Sequence, residues 1–313
     1  MEKYENKKIL GETDKDKNNS KLLIDKDPII NYEKNNLLTG LFHAISAILL
    51  NLLPPKIGSA LVDKTTDKGK EVKNKATTYY ALDTMYTTYR FSPEKGILKG
   101  TAEYLWFKLG NPRAVRNRLK LVKKFVKEII INNMKNKERV FIFSLGCGSA
   151  RAIIESLYEL KGFGKDLNSL DVKLLDKDQQ ALDLSKAIIS NHGLKECNFS
   201  FILDKIRNFD KYLEGQKPDI IEMVGVLDYL PDDKAIEIFQ KIFRELNSNG
   251  FFITANIRDN WEVDFVTKTI NWKMIYREPA DLLRILVASG FDKGKIKIIY
   301  EPLKTHGVAI CQK

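Results

Sequence analysis

The chain has 313 residues, 43% of them hydrophobic, enough for one large domain or two smaller ones. Its three cysteines (Cys147, Cys197, Cys311) fall on or near predicted strands, and with only His43, His192 and His306 no zinc spacing arises; this argues against a disulfide scaffold and a structural metal, and for reduced thiols in a cytoplasmic protein. The net charge of +11 directs attention to acidic partners: anionic lipid, acyl carrier protein or nucleic acid.

Residues 1–35 are dominated by Lys, Asp, Glu and Asn, lack a secretory cleavage pattern and read as a disordered tail. Residues 37–53 carry no formal charge and are fewer than the roughly 20 that span a bilayer. Leu37, Leu38, Leu41, Phe42, Ile45, Ile48, Leu49 and Leu52 share one helical face there. The first expectation is a helix buried against the domain; a helix lying on a membrane, which would make the protein peripherally membrane-associated, and a lid over a lipidic substrate are the alternatives. Pro54-Pro55 ends it, and 56–75 reads as a loop or linker. Residues 76–110 hold Tyr79, Tyr80, Tyr86, Tyr89, Phe91, Tyr104, Trp106 and Phe107, either as core or as a substrate-pocket wall. Asn111-Pro112 then reads as cap and first turn of a helix over 113–134. Val115, Leu119, Val122, Phe125, Val126, Ile129 and Ile130 form its apolar side; Arg116, Lys120, Lys123, Lys124 and Lys127 form a basic side, solvated or docking an acidic partner. Residues 36–137 are thus expected to form a helical cap.

Residues 140–151, VFIFSLGCGSAR, join a buried strand to a helix through Gly146-Cys147-Gly148, a turn at which backbone can approach a ligand. A dinucleotide fingerprint wants a third glycine three residues after Gly148, where Arg151 stands, and no Gly-Lys-Ser/Thr follows for a phosphate loop. Strands over 172–175, 198–203, 219–226 and 251–257 alternate with helices over 177–190 and 232–246, which predicts a doubly wound, mostly parallel α/β sheet. Ligands of such sheets sit beyond the carboxyl ends of the strands, where Gly146, Asp176, Asp204 and Gly225 to Tyr229 fall.

Residues 138–313 resemble a class I S-adenosylmethionine-dependent methyltransferase. Leu145-Gly146-Cys147-Gly148-Ser149 matches the family's first motif, Asp176 its ribose acid, Asp204 the position near the adenine amino group, and Val224 to Leu230 the motif bordering cofactor and substrate. The tail 283–291, 295–300 and 307–312 resembles the last helix and the closing antiparallel hairpin, giving a seven-stranded sheet. The resemblance implies S-adenosylmethionine as cofactor, bordered by Ser144, Gly146, Cys147, Gly148, Asp176, Lys177, Asp204, Lys205, Val224 and Gly225. Ser144 stands where the motif often carries an acid, and Ala150 or Arg151 where it carries a third glycine.

Asp228-Tyr229-Leu230, Thr254-Ala255-Asn256 and 272–277 (WKMIYR), with Asn111-Pro112 upstream, resemble a bacterial subgroup that includes hydroxy fatty acid methyl ester synthases. That likeness implies O-methylation of a fatty-acid-like carboxylate or hydroxyl. A carboxylate is already ionised at pH 7 and needs a cation rather than a base; Arg277 is the candidate clamp, Tyr229 or Tyr276 the hydroxyl donor, and Asp228 a base or an orienter of Tyr229. His192 and His306 read as structural. An RNA methyltransferase, suggested by the charge, and a non-catalytic S-adenosylmethionine-binding protein are the competing readings.

Overall fold

Successive residues of β3 (Val140–Leu145) point to opposite faces of a sheet, and both faces are covered. Val140 and Ile142 join one core with α6 (Gly110–Asn136), α7 (Arg151–Gly162) and α8 (Gln179–Asn191); Phe141 and Phe143 join another with α9 (Asp232–Glu245) and α10 (Pro279–Ala288). This two-sided burial explains why the strand is apolar throughout rather than alternating. The structure is a computed structural model that describes residues 12–15, 21–87, 91 and 96–313. Tyr89 and residues 1–11 and 16–20 of the expected tail lie outside them.

Among the described residues the sheet has nine strands, in the order β1 (Glu12–Lys15), β2 (Lys21–Ile24), β8 (Ile296–Tyr300), β9 (His306–Gln312), β7 (Phe251–Ile257), β6 (Ile220–Met223), β3, β4 (Leu170–Asp176) and β5 (Asn198–Leu203). From β5 to β7 the strands are parallel, and β9 enters antiparallel between β7 and β8, as the hairpin expectation required. The expected seven strands are present, but two more extend the edge, β2 pairing with β8 in parallel. Residues 21–35 are therefore not a tail. Leu22 and Ile24 are buried with Tyr300, Tyr32 is buried on α6, and Glu33 receives the Arg116 guanidinium.

That segment also changes the basic side of α6. Lys124 pairs with Asp25 and Asp27, Lys120 donates to the Asn31 carbonyl, and Lys123 and Lys127 reach Glu155 and Glu159 on α7. Lys120, Lys123, Lys124 and Lys127 are thus engaged with groups of the fold itself. Its start differs as well: α6 begins at Gly110 with no capping side chain of its own. The buried Glu262 carboxylate supplies the cap, accepting from the Gly110 and Asn111 N–H groups at 2.6 and 2.8 Å and from the Asn111 amide at 2.9 Å. Glu262→Ala is expected to lower stability by about 2 kcal/mol or more, read by denaturant unfolding, because it strands buried donors at a helix start.

Before α6 lie α1 (Leu37–Leu52), α2 (Pro55–Thr65), α3 (Asp67–Asn74), α4 (Tyr79–Thr87) and α5 (Ile97–Phe107). Val62, Val72, Ala81, Met85, Trp106 and Phe107 pack with Phe265, Val266 and Trp272 into a third core, so the cap sits over the carboxyl ends of β6 and β7. Residues 56–75, expected as a loop, are mostly the helices α2 and α3. The expectation of a buried helix at 37–53 also fails. α1 is capped by a reciprocal Asn36–Thr39 box, but its apolar face is exposed.

Candidate active site

The turn after β3 places Gly146 and Gly148 at positive φ, +63° and +54°. A Cβ at Gly146 would stand 2.6 Å from the Val226 side chain, so glycine is required on two counts. Ala150 also takes a left-handed conformation, φ +50°, at the N-cap of α7. It is the position in the turn that wants a third glycine. Ala150→Gly is expected to stabilise the fold by up to about 1 kcal/mol, measured as a rise in the denaturation midpoint. The neighbouring Arg151 bonds away from the turn. Its Nε donates to Asp83 of α4 at 2.5 Å, fastening the cap to the cofactor loop.

Asp176 ends β4 beside that turn. It is nearly buried and accepts from the Gly148 N–H at 2.8 Å and the Asp178 N–H at 3.0 Å. Burial raises its pKa against those two bonds. Asp204 ends β5 next to it but is engaged locally, accepting from Lys205 N–H, the Asn208 amide and the Tyr212 hydroxyl. Lys177 and Lys205 are exposed at the same rim. The Cys147 thiol is pushed up by burial and then by Asp176, so it is no nucleophile at neutral pH.

Ser144 lacks the acid expected at its motif position, and the adjacent strand supplies one. Ser144 is the register partner of Glu222 on β6, and its hydroxyl donates to the Glu222 carboxylate at 2.5 Å. Glu222 also accepts from the Val224 N–H at 3.1 Å. Burial raises its pKa to about 7, and among the described residues no cation is in ion-pair contact with it. A buried carboxylate without a cation at a strand end is a place for a ligand ammonium.

Beyond Gly225 a narrow apolar chamber of about 60 Å³ opens between cap and sheet. Asp228 and Tyr229, both expected at the site, line it, as do Trp106, Phe265, Trp272 and Met274. The Tyr229 hydroxyl accepts from the Trp272 indole at 2.7 Å. Two more residues complete it: Arg118, which the sequence did not single out, and His306, which it read as structural. Arg118 is 1% exposed; its Nη1 lies 3.7 Å from Asp228, Nη2 donates to the Tyr86 hydroxyl at 3.2 Å, and Nε has no partner among the described residues. Burial opposes its charge, but Tyr86 and Asp228 hold the pKa above the ordinary value. Burial raises the Asp228 carboxyl, although Arg118 and the Ile257 N–H work against it. His306 is buried, neither ring nitrogen is hydrogen-bonded among the described residues, and burial, reinforced by Arg118, keeps it neutral.

Arg277 does not act at this site. Its guanidinium is 3% exposed and spent on Asp232, the Leu227 and Leu230 carbonyls and the Asn256 amide oxygen, so it staples the turn after β6 to β7. Asn256 in turn donates to Asp228 at 2.8 Å. Arg277 thus supports Asp228 from behind. Tyr276 is not among the chamber's walls.

Residues 136–298 match the methyltransferase-domain family. The chain belongs to this family. Comparison with curated proteins finds no match. Among solved structures the methyltransferase is similar to a possible exported protein from Bordetella parapertussis, with TM-score 0.64, 16% identity, and coverage of 87% of this chain and 94% of that one. It is also similar to magnesium protoporphyrin IX methyltransferase from Synechocystis PCC 6803, solved with S-adenosylhomocysteine, at TM-score 0.49 and 13% identity over 64% of this chain and 84% of that one. An O-methyltransferase family protein from Burkholderia thailandensis gives TM-score 0.45 and 13% identity, covering 75% and 68% of the two chains. The methyltransferase uses S-adenosylmethionine, and the residues present fit it. Gly146 and Gly148 leave backbone open at the turn, Asp176 offers lone pairs beyond its two backbone bonds, and Glu222 awaits a cation.

Proposed function

We propose that the methyltransferase makes methyl esters of amphiphilic, fatty-acid-like carboxylates. The observation that carries this reading is Arg118, a buried guanidinium whose Nε has no partner among the described residues, beside Asp228 and Gly225 at the polar end of a mostly apolar chamber. Apolar walls suit an acyl chain, and a fixed cation suits an ionised head. The likeness of Asp228-Tyr229-Leu230 and 272–277 to hydroxy fatty acid methyl ester synthases supports the same class.

Bound S-adenosylmethionine supplies an electrophilic methyl group on a sulfonium. Arg118 holds the acceptor carboxylate with one oxygen free, and Asp228 and Tyr86 hold Arg118 in turn. No base is needed, since the carboxylate oxygen gains the methyl and no proton leaves. The cap excludes water, which strips hydration from the nucleophile, and alignment supplies much of the acceleration.

A hydroxyl acceptor is the second reading, favoured by His306: a neutral imidazole in the chamber with both nitrogens unpartnered is placed to take a hydroxyl proton. The RNA reading loses a main support, because the cations of α6 pair internally. Incubation with methyl-labelled S-adenosylmethionine and saturated and 3-hydroxy fatty acids of graded length tests the proposal. Alkali-labile label in the lipid phase is expected. Alkali-stable label would establish the ether, and no lipid label with any acid would overturn both readings.

A further inference from the structure

α1 sits on the protein the wrong way round for a soluble helix. Its inward stripe is polar or small: His43 meets Arg113, Ala47 is buried, and Asn51 donates to the Trp261 carbonyl and accepts from the Phe265 N–H at 2.6 and 3.0 Å. Those residues are spaced i, i+4, i+8, so the opposite stripe must face out. Leu41, Ile45, Leu49 and Leu52 are accordingly 58%, 48%, 59% and 75% exposed, in a helix with no charge. α2 continues the surface with exposed Ile57 and Leu61, and exposed Lys56 and Lys64 stand beside them. Among the described residues no single helix is long and apolar enough to cross a membrane, and α1 and α2 meet at 120°.

An open apolar groove of about 300 Å³ runs between α1, α2 and α5. Its inner wall is Trp106, Leu109 and Phe265, which are also walls of the chamber that reaches Arg118. The outward face, the groove and the chamber therefore lie in series, with one set of side chains between the last two.

We propose that the outward face of α1 and α2 seats on an anionic lipid bilayer and that the groove takes the acceptor's acyl chain directly from it. Lysines flanking an apolar face suit an anionic headgroup layer, and apolar burial of the α1 stripe supplies the insertion. The proposal rests on the amphiphilic-acceptor reading for what enters the groove, but not for the seating itself.

The test is co-sedimentation of the full chain with phosphatidylcholine vesicles, with and without one-quarter phosphatidylglycerol, for the natural protein, Leu41→Asp/Ile45→Asp and Lys56→Glu/Lys64→Glu. Calorimetric S-adenosylmethionine binding checks that each variant is folded, and methylation of octanoate in free solution is measured beside it. Binding to phosphatidylglycerol vesicles is expected, at least tenfold weaker in the Asp variant and several-fold weaker in the Glu variant, with octanoate methylation retained. No vesicle binding, or equal binding by the Asp variant, overturns the seating. A dimer of the natural protein that the Asp substitutions dissolve overturns it in favour of a second copy of this chain. Vesicle binding without methylation of any acid refutes the acceptor reading and leaves the membrane surface standing.

Discussion

Arg118→Lys is expected to cut kcat/KM for a long-chain acid by about 100-fold while leaving S-adenosylmethionine affinity within twofold. Lysine keeps the charge, but its single ammonium cannot face Asp228, donate to the Tyr86 hydroxyl and offer a third donor to the acceptor oxygen as the planar guanidinium does, and each charge-assisted bond is worth about 1.5–3 kcal/mol. Arg118→Ala is a poorer probe, because it leaves the buried Asp228 without its cation, at a cost of about 3–5 kcal/mol in stability. The pair Arg118→Ala/Asp228→Asn should regain much of that stability but none of the activity. Steady-state kinetics with cofactor calorimetry and denaturant unfolding separate these effects. Unchanged acid methylation by the Lys variant, or cofactor affinity falling in parallel, would remove Arg118 from the acceptor.

The second large effect concerns pH. The Glu222 carboxyl, ordinarily near 4.5, is raised to about 7 in the fold by burial. The folded state therefore binds the proton more tightly than the unfolded chain. Below about 4.5 both states hold the proton and the contribution is complete; it is lost as pH rises to about 7. Relative to Glu222→Gln, the cofactor-free protein should lose about 3 kcal/mol of stability between pH 4.5 and 7 and little more above. Urea unfolding of both proteins at pH 5 and 8 measures the difference. A ligand ammonium favours the ionised carboxylate, so S-adenosylmethionine affinity should climb through neutrality in the natural protein and not in the Gln variant. Parallel pH profiles would show that the ammonium lies elsewhere.

The sheet and the cofactor turn were legible because both are local. Apolar runs such as 140–145, each ending near an acid or a glycine, announce a buried parallel strand and its ligand end together. Arg118 was also within reach. It falls three residues after Val115 and four before Val122, on the apolar stripe of α6, where a cation is out of place. Reading the helix as one basic side and one apolar side hid it. Arg277 was misread for another reason: nothing local points to Asp232 or to the carbonyls of Leu227 and Leu230 that consume its guanidinium. The 21–35 segment looked too charged to fold because its apolar content is only a few residues, and its acids are matched by cations of α6 across the fold. α1 shows the reverse failure, since an uncharged helix invites burial unless its polar stripe is seen to bond inward.

The helix α4 stands over both halves of the reaction. Tyr79 packs on Gly148, Leu82 on Gly225, Met85 faces the chamber, and Asp83 grips Arg151. One roof of nine residues thus serves the methyl donor and the methyl acceptor. Any change that one ligand makes in that roof is felt at the place of the other, and thermodynamic linkage would make such a coupling equal in both directions.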